Sequence, residues 1–116
     1  MPGHPLNGAS TITENIADLG GLEMALEIIT NLCQKNGFSP EAFDEQIRVL
    51  LMSYAYGWKS NADEKYVLMQ IAKDEHSPDR WRTNAQVYQI DKWYSLFNVT
   101  LGQKLYIAPE KRGKIW

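Results

Sequence analysis

Cysteine is almost missing from this sequence: Cys33 stands alone among 116 residues. A single thiol excludes an internal disulfide, and cysteine usage then says nothing about the redox compartment. An excess of charge of one sign is also missing. Twelve Lys and Arg face fourteen Asp and Glu, a formal net charge of −2, and no basic stretch interleaves with aromatics. Nucleic acid is therefore not an expected partner. Long apolar runs are absent too, so no segment is expected to span a membrane, and the N-terminus shows no signal-peptide pattern. No internal repeat or low-complexity segment occurs. What is present is ordinary for a globular chain, with 44% apolar and 22% charged residues. The length suits one segment, 1–116, with a modest core. Four Trp and six Tyr are many for this size and suggest extensive packing surfaces or a cleft.

Periodicity predicts an all-α fold. After coil at Met1-Pro2-Gly3-His4-Pro5, apolar residues recur at helical spacing from about Thr11. The stripe is Ile12, Ile16, Leu19, Leu22, Leu26, Ile29 and Cys33, and it ends near Asn36-Gly37. Ser39-Pro40 opens a second helix, with Ser39 as N-cap and Pro40 at the first helical position. Its apolar stripe is Phe43, Ile47, Leu50, Leu51, Tyr54 and Trp58. A third helix is predicted from Ala62 to Lys73, broken at His76-Ser77-Pro78. Short helices follow near Asp79–Ala85 and Asp91–Phe97. From Gly102 an irregular strap runs to Trp116.

Glu14 and Asp18 lie one turn apart on the first helix and share a face. That face continues as Gly21, Ala25 and Leu32, small or apolar, whereas Glu23, Glu27 and Asn31 fall on a face taken as solvated. Acids on such a stripe call for a cation, a metal or strong donors. A second reading stays open: Thr11-x-x-Glu14 fits a capping box, and acids in a first turn complement the helix dipole.

The run Asn7-Gly8-Ala9-Ser10-Thr11-Ile12-Thr13-Glu14-Asn15-Ile16-Ala17-Asp18-Leu19-Gly20-Gly21-Leu22 resembles the neprilysin and endothelin-converting-enzyme family of zinc metallopeptidases, which includes bacterial oligopeptidases of the oligopeptidase O type. The likeness continues in order through Ala55-x-x-Trp58, Asp74-Glu75-His76-Ser77-Pro78 with Arg82, Tyr106-x-x-Pro109-Glu110 and Lys114-Ile115-Trp116. The resemblance implies the helical C-terminal part of a gluzincin-type catalytic domain with an irregular tail. It implies Glu14 as a zinc ligand and Asp18 as the acceptor that orients a zinc-bound histidine. His76 would stabilise the oxyanion and Arg82 would hold a substrate carbonyl. Gly57 and Trp58 would line a hydrophobic specificity pocket. Read without the resemblance, His76 is a turn residue, Arg82 a surface cation and Trp58 a core residue.

A peptidase of this class takes two more ligands and its general base from His-Glu-x-x-His. The two histidines here, His4 and His76, form no such motif. The expectation is thus a zinc endopeptidase acting on oligopeptides, to which this chain contributes a C-terminal part that is inactive alone. Its partners would be oligopeptide substrates, the N-terminal part of its own chain and, with that part gone, a second copy. An extracellular, periplasmic or cell-surface location is implied by the family. Thr13, Asp79 and Gly113 depart from the family pattern; Gly113 stands where animal members carry a cysteine, which points to a bacterial member. The rival expectation is a free-standing helical interaction module without catalysis.

Overall fold

The computed structural model describes residues 3–115, and every regular element among them is helical. Asn7 caps the first helix, α1 (Gly8–Lys35), its side-chain oxygen accepting from the Ala9 N–H at 3.1 Å. The helix therefore starts before Thr11. The Thr11 hydroxyl instead donates to the Asn7 carbonyl at 3.2 Å and is buried. Glu14 lies almost two turns inside the helix rather than in its first turn. The capping-box reading of Thr11 and Glu14 falls with that.

The far end of α1 closes as the sequence predicts. Asn36 is the C-cap and Gly37 takes φ +64. The N–H groups of Gly37 and Phe38 satisfy the carbonyls of Gln34 and Cys33 at 3.1 and 3.0 Å, the paired hydrogen bonds of a Schellman turn. Helix α2 (Pro40–Gly57) begins on Ser39, whose hydroxyl accepts from Ala42 at 3.2 Å, with Pro40 at the first position. Helix α3 (Glu64–Lys73) starts two residues later than expected because Asp63 supplies a better cap, accepting from Tyr66 at 2.7 Å. Helices α4 (Asp79–Val87) and α5 (Asp91–Leu96) follow, each within two residues of the expected bounds. A single 3₁₀ turn, Pro109–Lys111, interrupts the strap. The coil expected at Met1 and Pro2 and the landmark Trp116 lie outside the described residues.

The core forms where α1 and α2 meet α4 and α5. Leu19, Leu22, Ile47, Leu51, Val87, Ile90, Trp93, Tyr94 and Leu96 are buried together, each side chain contributing about 1.5–3 kcal/mol relative to exposure. Trp93 meets Tyr94 edge-on at 5.0 Å between ring centroids. Arg112 fastens the strap to this core. Its guanidinium donates twice to the Ile107 carbonyl and once to Asp91, and lies 3.6 Å from the centre of the Tyr94 ring. The strap also reaches α1, where the Ile115 N–H donates to Glu23 at 3.3 Å. That bond takes Glu23 off the solvated face to which the pattern assigned it; Glu27 and Asn31 are exposed as expected.

The apolar stripe of α1 is not continuous. Leu19, Leu22 and Cys33 are buried, but Ile12 and Ile16 are 54% and 49% exposed. In the N-terminal half the inward positions are polar: Thr11, Asn15 and Asp18 turn towards the loop before α4 and towards α4 itself. The isoleucines are displaced outward by that polar packing. The radius of gyration is 15.7 Å, against about 13 Å for a compact domain of this length.

One outer face of α1 is apolar. Met24, Ile28 and Leu32 are each half or more exposed, and a side chain at Gly21 would meet nothing within 4 Å. Of the stripe expected from the sequence, Gly21 and Leu32 lie on it, whereas Asp18 is covered and Ala25 is half-buried. Apolar faces of this kind attract a partner. The 116-residue chain is expected to self-associate with rising concentration, and Ile28→Glu should shift it to monomer. Light scattering across a dilution series checks this; a chain monomeric at high concentration and indifferent to Ile28→Glu would contradict it.

Candidate functional site

Three elements meet at the cluster, backed by a fourth. The first is α1 itself, a rigid rod presenting Glu14 and Asp18. The second is the irregular segment 74–78, which carries His76. The third is the start of α4, which carries Arg82, backed by the end of α2 with Tyr54 and Trp58.

Asp18 and Arg82 form a two-pronged ion pair. Arg82 Nε donates to Asp18 Oδ2 at 2.7 Å and Nη2 donates to Oδ1 at 2.6 Å. Both side chains are largely covered, 11% and 16% exposed, so each charge depends on its partner to repay desolvation. The Arg82 pKa rises above its ordinary value, first because of the hydrogen bond to Asp18. The Trp58 ring lies 3.9 Å from the guanidinium carbon, and the planar cation stacks on it. Tyr54 donates its hydroxyl to the Arg82 carbonyl at 3.1 Å. Burial pushes that hydroxyl up to about 12, with the Asp18 charge adding to the shift. Arg82 keeps N–H groups that Asp18 does not use, and Asp18 keeps lone pairs that Arg82 does not fill. The pair can still engage further groups on its open side.

His76 lies between two carboxylates. Its Nδ1 is 2.9 Å from Asp74 Oδ1 and its Nε2 is 3.2 Å from Glu14 Oε2. Asp74 also accepts the His76 backbone N–H at 2.8 Å, a local turn that aspartate favours. Both ring nitrogens can donate at once only in the imidazolium form. The His76 pKa accordingly moves up, through the Asp74 hydrogen bond first, with the charges of Glu14 and Asp74 adding. Asp74 moves down, through the backbone and side-chain bonds from His76. The raised folded-state value means that the interaction stabilises the fold below the ordinary imidazole pKa and fades as pH rises through the folded value. An NMR pH titration should therefore place His76 above free imidazole, and Asp74→Asn should lower it. No difference between the two proteins would count against the Asp74 hydrogen bond.

The candidate residues thus meet, with one exception. Gly57 ends α2 in open space, where an added Cβ would touch nothing within 4 Å, so the fold does not demand glycine there. Asp74, Asn15, Ser77 and Tyr54 join the site without having been singled out by the sequence. Only Asp74 carried a signal, an aspartate two positions before a histidine. Neither of two clefts on the described residues is lined by Glu14, Asp18, His76 or Arg82. One, of about 370 Å³, is lined by α3 from Tyr66 to Lys73 and by Asp74 and Glu75, so it borders the cluster at Asp74; the other, of about 980 Å³, lies between α3, α4 and the strap. The cluster is partly exposed: Glu14 and His76 are about a third or more open to solvent, Asp18 and Arg82 largely covered. Among the described residues no group of three or more His, Cys, Asp or Glu side chains gathers as a metal site. Glu14 by itself is a partly exposed carboxylate of the kind zinc accepts.

A sequence model of Peptidase family M13 matches residues 2–113. Neutral endopeptidase of Lactococcus lactis subsp. lactis (strain IL1403) is 30% identical over 112 residues, covering 97% of this chain and 16% of that protein. Neprilysin of Homo sapiens is 29% identical over 117 residues, covering 98% of this chain and 15% of that protein. Neutral endopeptidase of Lactobacillus helveticus is 29% identical over 111 residues, covering 96% and 16%. The chain thus spans about a sixth of the length of these relatives. No solved structure matches it significantly.

Proposed function

The chain belongs to Peptidase family M13, and from that premise we propose that it forms one wall of the active site of a zinc-dependent endopeptidase that cuts oligopeptides. The observation that carries this reading is convergence: Glu14, Asp18, Trp58, His76 and Arg82, spread over most of the sequence, meet in one partly exposed cluster. In this reading Glu14 is the one metal ligand that the chain supplies. A catalytic zinc takes three protein ligands, so the others come from a His-Glu-x-x-His segment elsewhere in the complete enzyme, and this chain is inactive alone. When bound, the metal polarises the scissile carbonyl and lowers the pKa of a water.

The general base would come from that same segment, and residues of this chain would stabilise charge and hold the peptide. His76, held by Asp74 through Nδ1, would turn the Nε2–H that faces Glu14 in this structure to the oxygen on which negative charge develops. Arg82 is gripped by Asp18 and backed by Trp58, and it directs its unused N–H groups at a backbone carbonyl of the peptide. Asp18 uses its spare lone pairs to orient a histidine of the missing segment. Trp58 gives the peptide's apolar side chain a wall. A location outside the cytoplasm accords with this reading, and no described helix is long and apolar enough to cross a membrane.

The coding sequence ahead of Met1 tests the proposal. An in-frame His-Glu-x-x-His is the expected result. A stop codon and a ribosome-binding site there would overturn it in favour of a free-standing helical module.

A further inference from the structure

We propose that Asn15 and Ser77 are positioning residues whose shared hydrogen bond sets the separation of the Glu14 carboxylate from the His76 ring. The proposal rests on the roles given above to Glu14 and His76. Glu14 rides on a rigid helix, but His76 does not: it sits in the irregular segment between α3 and α4. The Asp74 bonds fix the ring only relative to its own segment. Something must fix that segment relative to α1.

Ser77 does this. Its side chain is buried, and its hydroxyl donates to Asn15 Oδ1 at 2.8 Å. Among the described residues this is the one neutral side-chain hydrogen bond that crosses from segment 74–78 to α1. Its direction is imposed from the helix. Thr11 is equally buried and commits its proton to the Asn7 carbonyl at 3.2 Å. The Thr11 oxygen must then accept, and it does so from Asn15 Nδ2 at 3.2 Å. With its amide nitrogen turned to Thr11, Asn15 presents its oxygen to Ser77, and Ser77 donates to it. The relay Asn7–Thr11–Asn15–Ser77 thus runs in one direction, each hydroxyl or amide donating to the next acceptor. Asn15 follows Glu14 by one residue and Ser77 follows His76 by one, so the bond clamps the functional pair at its backbone. It also accounts for the polar inward face of α1 at the turn where an apolar stripe is interrupted.

The test uses Asn15→Ala, Ser77→Ala, their double variant and the conservative Ser77→Thr. In the 116-residue chain, NMR should show nuclear Overhauser cross-peaks between the His76 ring and the Glu14 side chain. These should vanish in both alanine variants and persist in Ser77→Thr, with circular dichroism unchanged. In the complete peptidase, kcat should fall about 10- to 100-fold in each alanine variant, the penalty of a small misplacement, while KM and zinc content hold. The double variant should be no worse than the weaker single, because both remove one bond. Should the alanine variants not fold, Ser77→Cys keeps the size with a weaker donor and should fall between wild type and loss. Cross-peaks that survive in both folded alanine variants, or losses in kcat that simply add, would overturn the proposal. If the cross-peaks vanish in the alanine variants but the wild-type enzyme shows no zinc-dependent turnover, the clamp stands and the peptidase reading is overturned.

Discussion

Glu14→Ala in the complete peptidase is expected to leave a folded protein with no tightly held zinc and no measurable turnover. The position explains why the effect should be clean. Glu14 lies well inside α1, its side chain is a third exposed, and among the described residues the charged group it pairs with is His76. Alanine is the strongest helix former, so the rod itself should not suffer. A capping role would make the change a structural one, but that role belongs to Asn7. Loss of an outer partner of a metal ligand already costs about 10- to 100-fold in affinity, and removal of a ligand itself should cost more. Zinc per chain by elemental analysis, alongside circular dichroism, decides it. Stoichiometric zinc in a folded Glu14→Ala protein would remove Glu14 from the metal shell.

His76→Ala should behave differently, keeping its zinc while turnover falls about 100- to 1000-fold, the usual loss for one oxyanion donor. The separation of the two effects follows from the geometry. His76 reaches Glu14 with Nε2 across 3.2 Å but is held through Nδ1 by Asp74, so its removal should leave Glu14 free to bind metal. Peptide affinity should change little, because Arg82 is anchored independently by Asp18 and Trp58. Steady-state kinetics with metal analysis on the same preparation reads both quantities. A His76 variant that lost its metal would make His76 a ligand and not an oxyanion donor.

Most of the fold was legible in the sequence because helix ends are local. Asn36-Gly37, Ser39-Pro40 and the break before Pro78 each bear residues whose backbone chemistry fixes a boundary, and all three stand where the pattern placed them. The start of α1 differs from the pattern for an equally local reason. Asn7 and Thr11 are both competent caps, and Asn7 takes the role because its side chain can close on Ala9, leaving Thr11 to be buried. The outward turn of Ile12 and Ile16 was not legible. It depends on a hydrogen bond between Asn15 and Ser77, 62 positions apart, that no periodicity within one helix encodes. The same limit governs the site. Glu14 and Asp18 announce themselves as a pair on one helix, and the resemblance to zinc metallopeptidases pointed to His76 and Arg82. What neither conveyed is that Asp18 closes both oxygens on Arg82, that Trp58 stacks on that guanidinium, and that His76 lies between two acids. Those are through-space facts, set by how α4 and its preceding segment dock on α1.

On the proposed function, the chain holds one part of a metal site and cannot complete it. Zinc content of the purified 116-residue chain after exhaustive dialysis tests that most directly. With Glu14 its only committed ligand, the chain should retain far less than one zinc per molecule, and added zinc should dissociate readily. One tightly held zinc per monomer would contradict this, and would mean that the 116 residues build a complete site of their own.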